Sequence, residues 1–111
     1  MGIEVIKLGD IIVLRPGKSL TVFDFEDLVN PIPELPKEAV GIVLDLLDTV
    51  EIDSFGVATI IRIMSYAKSN NQKFSIAVSN NKVLFILKID KLDTVLPLYN
   101  SVEEAISHIR G

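Results

Sequence analysis

The sequence has no cysteine, and that closes several routes at once. No disulfide framework, thiolate zinc site or thiol nucleophile is available, and nothing calls for an oxidising compartment. Tryptophan is missing too, and the aromatic complement is five Phe and two Tyr. Basic residues are scattered singly, 11 Lys plus Arg against 15 Asp plus Glu, for a net charge of −4. A chain with neither a basic stripe nor a row of stacking aromatics is poorly suited to DNA or RNA. Apolar runs such as 41–44 and 83–87 stop after four or five residues, whereas a membrane helix needs about 20. The N-terminus lacks the basic segment and long apolar run of a signal peptide. These absences lead to the expectation of a cytoplasmic protein without membrane or nucleic-acid partners.

What is present is material for a core: 49% of the 111 residues are apolar, enough for one domain spanning 1–111. Residues 3–8 alternate and 11–14 run apolar, with Gly9-Asp10 between them as a hairpin turn. Thr21 is a possible N-cap for a short helix ended by Asn30-Pro31. The β-branched run 40–46 suits a central strand buried on both faces. Val57, Ile60, Ile61, Met64 and Ala67 fall at helical spacing, with Thr59, Arg62 and Tyr66 off that face. A strand follows at 74–78, then a helix capped by Asn80 or Asn81. A short strand over 94–98 comes next, its proline marking an edge or an end. Ser101 and Glu104 fit a capping box for a last helix through Ile109. Strands alternating with helices predict an α/β fold with a mixed, mostly parallel sheet of about five strands, helices packed mainly on one side.

The unusual passage is 46–57, where a buried strand stops, a short acidic loop follows and the strongest amphipathic helix begins. Ligands and partners of open α/β sheets collect at such strand ends. Asp53 or Ser54 is placed to cap the first free amides of the helix, a role either residue fills in any protein. Asp45, Asp48, Glu51 and Asp53 would be candidates for Mg²⁺, except that the acidic residues of phosphotransfer receivers come from several strand ends. No base stands beside Ser54 for hydrolytic chemistry: the one His, His108, follows Ser107 in the last helix, and no G-x-S-x-G elbow occurs. The chain therefore reads as a non-enzyme without metal or cofactor.

The strand Ile42-Val43-Leu44-Asp45-Leu46, six residues, and Asp53-Ser54-Phe55-Gly56-Val57 together resemble the signature of STAS domains, the fold of bacterial anti-sigma factor antagonists, whose usual form is D-S-[ST]-G-[LV]. Residues 86–93 and Ser101-Val102-Glu103-Glu104-Ala105 are similar to the later part of that family. The resemblance implies that Ser54 is the acceptor for a partner that is both anti-sigma factor and serine kinase. The unmodified protein would bind that partner, and phosphorylation would switch it off. It also implies a partner surface formed by Lys18, Ser19, Phe23, Asp48 and Glu51 with Asp53, Ser54, Phe55, Gly56 and Arg62. Two positions depart from the usual pattern. Phe55 replaces a small Ser or Thr, and Gly17-Lys18-Ser19-Leu20 replaces G-E-[IL]-D, reversing a charge. Both favour a second reading, a STAS interaction module of another signalling or transport assembly that uses the same surface without phosphorylation. Phe23, Phe25 and Leu28 offer further apolar surface to a partner. A third class, a small-anion binder at the helix N-terminus, stays open.

Overall fold

A computed structural model describes residues 3–21, 35–89 and 91–111. The helix expected to start at Thr21, with Phe23, Phe25 and Leu28, lies outside the described residues. Strands β1 (Glu4–Leu8) and β2 (Ile11–Arg15) form the expected antiparallel hairpin, and Gly9 at its turn takes φ +64°, a conformation that favours glycine. Parallel strands then build outward from β2. They are β4 (Gly41–Asp45), β6 (Lys73–Ala77) and β7 (Leu98–Tyr99), in the order β1-β2-β4-β6-β7. A separate parallel pair, β3 (Ser19–Leu20) with β5 (Glu51–Ile52), sits outside the main sheet.

The described helices are α1 (Ser54–Ser69), α2 (Asn81–Ile89) and α3 (Val102–Arg110). Alternation along β2 and β4 sends Ile12, Leu14, Ile42 and Leu44 to one face, where Ile60, Ile63 and Ala67 of α1 and Val83 and Leu87 of α2 complete the main core. Ile11, Val13 and Val43 point the other way and meet Ala105 and Ile109 of α3. Two of the three described helices thus share a face. Each fully buried Ile or Leu contributes about 1.5–3 kcal/mol of transfer free energy, so β2 and β4, apolar on both faces, anchor both layers.

The buried stripe of α1 differs from expectation at three positions. Ile63 and Thr59 are buried, whereas Ile61 is 39% exposed. Apolar pairs at 60/61 and 63/64 leave the periodicity ambiguous, and packing chooses the stripe through 56, 60, 63 and 67. Thr59 is accommodated because its hydroxyl donates to the Phe55 carbonyl at 2.9 Å. The strand expected over 94–98 is shorter. Leu92–Thr94 forms a 3-10 turn in which Thr94 and Val95 amides bond to the Lys91 and Leu92 carbonyls, so those amides are spent within the turn. Only Leu98–Tyr99, after Pro97, joins the sheet, at its edge.

Candidate functional site

The site is assembled at the C-terminal end of β4 by hydrogen bonds between two loops distant in sequence. Asp45, 4% exposed at the end of β4, accepts from Arg15 Nε at 2.9 Å and from the Leu47 amide at 3.0 Å. The hydrogen bond to Asp45 raises the Arg15 guanidinium above its already high ordinary range, against the opposing effect of burial. Beyond Asp45 the chain turns, with the Thr49 amide bonding to the Leu46 carbonyl. Buried Thr49 donates its hydroxyl to the Gly17 carbonyl at 2.6 Å. The amides of Val50 and Glu51 both donate to the Lys18 carbonyl, at 2.8 and 3.2 Å. The β3–β5 pairing then sets Ser19 beside Glu51 and Leu20 beside Ile52.

This stapled platform leads directly into α1. Asp53 has extended backbone geometry and its Oδ1 accepts from the Gly56 amide at 2.9 Å, so Asp53 is the N-cap and Ser54 the first helical residue. Of the two capping candidates, the aspartate is chosen. That choice leaves Ser54 exposed on the first turn, with exposed Phe55 next to it. Gly56 is buried where α1 passes over β3, and a Cβ there would stand 2.0 Å from the Leu20 carbonyl oxygen. Only glycine permits this approach. Asp48 and Glu51 are exposed on the loop before the helix, and Lys18 is exposed on the partner loop.

The model of the STAS domain matches residues 2–105. The chain belongs to the STAS domain family. A Thermotoga maritima relative named provisionally as an anti-sigma factor antagonist is 28% identical over 111 residues, 93% of each chain. A crystal structure of a Thermotoga maritima protein bearing the same provisional name superposes with a TM-score of 0.88 at 24% identity, covering 98% of this chain and 95% of that one. The Bacillus cell fate determinant SpoIIAA in its phosphorylated form gives a TM-score of 0.67 at 13% identity, covering 97% of this chain and 99% of that one. These structural likenesses concern the shared fold.

Within this STAS domain, Lys18, Ser19, Asp48, Glu51, Asp53, Ser54, Phe55 and Gly56 come from two loops and one helix start that the β3–β5 pairing ties together. Arg62 is exposed on α1, eight residues or about 12 Å of helix rise from Ser54. Phe23 lies outside the described residues. Asp45 is engaged by Arg15 and the Leu47 amide and does not join the other acids. Among the described residues, no three His, Asp or Glu side chains are grouped to hold a metal ion, and no helix is long and apolar enough to cross a membrane. His108 is exposed, its ring tilted against Tyr99 at 5.1 Å.

Sequence reasoning missed a cleft of about 740 Å³ beside the site, between β5 and α2. Val50, Ile52, Phe85 and Ile86 give it apolar walls, and Glu51, Asp53 and Lys82 reach its rim. Phe85 is 62% exposed. In the unbroken apolar run 83–87 no period distinguishes it from its buried neighbours Val83 and Leu87.

Proposed function

We propose that this STAS protein is a cytoplasmic bacterial anti-sigma factor antagonist, a binding module without enzymatic activity. It docks an anti-sigma factor serine kinase through the surface around residues 48–56, with Lys18, Ser19 and Arg62 at its margins. Phosphorylation of Ser54 switches it off. One observation carries this reading: Ser54 stands exposed at the first helical position of α1, while capping is performed by Asp53. Its hydroxyl is therefore available to a kinase without dismantling the cap.

The electrostatics support the same direction. A phosphate adds about −1.5 to −2 charge at a helix N-terminus, where the macrodipole tolerates it, so the fold should survive modification. Exposed Asp48 and Glu51 and the capping Asp53 already make that surface acidic. The added charge raises the desolvation and repulsion met by a closely packed partner, so the switch acts at the surface and needs no internal rearrangement. The solved phosphorylated form of SpoIIAA, of the same fold, lends this reading a precedent. The test is binding of a purified cognate anti-sigma factor to the wild type, Ser54→Ala and Ser54→Asp. The reading requires Ser54→Ala to bind like wild type and Ser54→Asp to lose affinity. Equal binding by all three rejects it.

The second reading, a STAS module that binds its partner without phosphorylation, draws on Lys18 and Phe55. The Lys18 carbonyl is bonded to the Val50 and Glu51 amides, which sets a cation's backbone into the acidic loop. Phe55 is half exposed beside Ser54, shaped as an apolar anchor. Strong partner binding that is indifferent to Ser54→Asp and abolished by Phe55→Ala selects this reading.

A further inference from the structure

The opposite end of the sheet carries a second feature that the proposed switch does not use. At the start of β6, a cleft of about 410 Å³ is lined by Met64 and Lys68 of α1, by Gln72, Lys73 and Phe74, by Val95 and Pro97, and by His108 of α3. Two lysines and the single histidine are among its lining residues, and no carboxylate is among the described ones, in a chain whose net charge is −4. His108 is positioned by its ring contact with Tyr99. Phe74, Val95, Pro97 and Met64 give the cleft an apolar body. Val95 is 62% exposed although it is a large apolar side chain.

Two observations add directional polar groups to this charge. Gln72 is 94% buried, its Nε2 donates to the Pro36 carbonyl at 3.0 Å, and its Oε1 is buried with no hydrogen-bond partner. An unsatisfied buried acceptor is destabilising, and an entering donor removes that cost. The β6–β7 register begins only at Ile76 and Leu98, so the first residues of β6 have no β7 partner alongside. The Ile76 and Val78 amides donate to the Pro97 and Tyr99 carbonyls. By the same alternation the Phe74 amide faces the β7 side, towards the cleft.

We propose that this cleft binds a small amphipathic organic anion. Its carboxylate or phosphate is held by Lys68, Lys73 and His108, its flat apolar body lies on Phe74, Val95 and Pro97, and an N–H or O–H donor reaches Gln72 Oε1 after a small shift of the exposed rim side chains. The dimensions suit such a molecule, since ligand clefts run from about 300 to 1,000 Å³ and combine apolar walls with a few convergent polar groups. The proposal is independent of Ser54, which lies at the other end of the parallel strands.

The test titrates the ¹⁵N-labelled full chain with three probes by NMR: indole-3-acetate, which has anion, flat body and N–H donor; 1-naphthaleneacetate, which lacks the donor; and indole, which lacks the anion. Saturable shifts at Gln72, Phe74, Val95 and His108 are expected with indole-3-acetate. Each of the other probes should bind at least about tenfold more weakly, the equivalent of about 1.4 kcal/mol. The exposed double variant Lys68→Gln with Lys73→Gln, which leaves the core intact, should weaken indole-3-acetate by a similar factor. No saturable shift below about 10 mM, shifts confined to other residues, equal affinity for the three probes, or an unaltered double variant would each overturn the proposal.

Discussion

Replacing Gly56 by Ala reverses the usual sign of a helical glycine substitution. At an exposed helix position the exchange gains up to about 1 kcal/mol. Here the new Cβ stands 2.0 Å from the Leu20 carbonyl oxygen and 2.8 Å from Ile52 Cγ1. Ordinary contact begins at 3.4 Å, so the carbonyl must retreat by more than an ångström. A strand carbonyl has no rotamer in which to escape. Its retreat pulls Leu20 from the Asp53 amide and opens the two-residue β3–β5 pairing that fixes the loop before Ser54. Overpacking costs about 1–3 kcal/mol and the lost hydrogen bond about 1 more. With the helix-propensity gain subtracted, net destabilisation is about 1–3 kcal/mol. In urea, with a slope of about 1–3 kcal/mol per M, the midpoint should fall by about 1 M. Ala58→Gly, at an exposed position two residues along, supplies the control and should cost about 1 kcal/mol. A Gly56→Ala midpoint equal to or above wild type would refute the close approach of α1 to β3.

Arg15→Met should cost about 2 kcal/mol, because it leaves the buried Asp45 carboxylate with only the Leu47 amide; Arg15 is itself 37% exposed, which keeps the figure below the full cost of breaking a buried pair. Since the folded-state pKa of Arg15 is raised, the pair's contribution is fully present below the guanidinium's unfolded value and fades only above it. The difference between wild type and Arg15→Met in urea should therefore stay flat from about pH 6 to about pH 10. Asp53→Ala removes the cap to Gly56 and should lower stability by about 1 kcal/mol in the same assay. Phe55→Ala, at an exposed side chain, should change stability by less than about 0.5 kcal/mol and yet weaken partner binding at least about tenfold if Phe55 is an interface anchor; calorimetric titration separates the two effects.

The strands and helices were legible where one physical cause dominated. The β-branched run 40–46 had to be a central strand, and the 3.6-residue period placed α1 within a residue or two. What escaped was set by contacts rather than by pattern. Two-residue strands such as β3 and β5 carry no period, so the register that ties Lys18 to Val50 and Glu51 is invisible in the sequence, although Lys18, Glu51 and Asp53 each stand out there. The burial of Ile63 in place of Ile61, and the turn that shortened β7, were likewise decided by packing and by amides spent locally. Ser54 is singled out by its motif alone, and the structure adds that Asp53 carries the cap. The Phe85 cleft and the Gln72 acceptor had no sequence signal, because exposure within an apolar run and an unpaired buried oxygen exist only in the folded chain.

On the proposed function, one phosphate on Ser54 breaks partner binding without disturbing the fold. The most direct measurement phosphorylates the wild-type protein with its cognate kinase and ATP, maps the site by mass spectrometry, and then titrates the modified and unmodified forms against the partner. A single phosphate on Ser54 is expected, with an unchanged urea midpoint and an affinity at least about 100-fold lower, about 2.7 kcal/mol. A phosphate placed elsewhere, or full affinity retained with Ser54 modified, would contradict it.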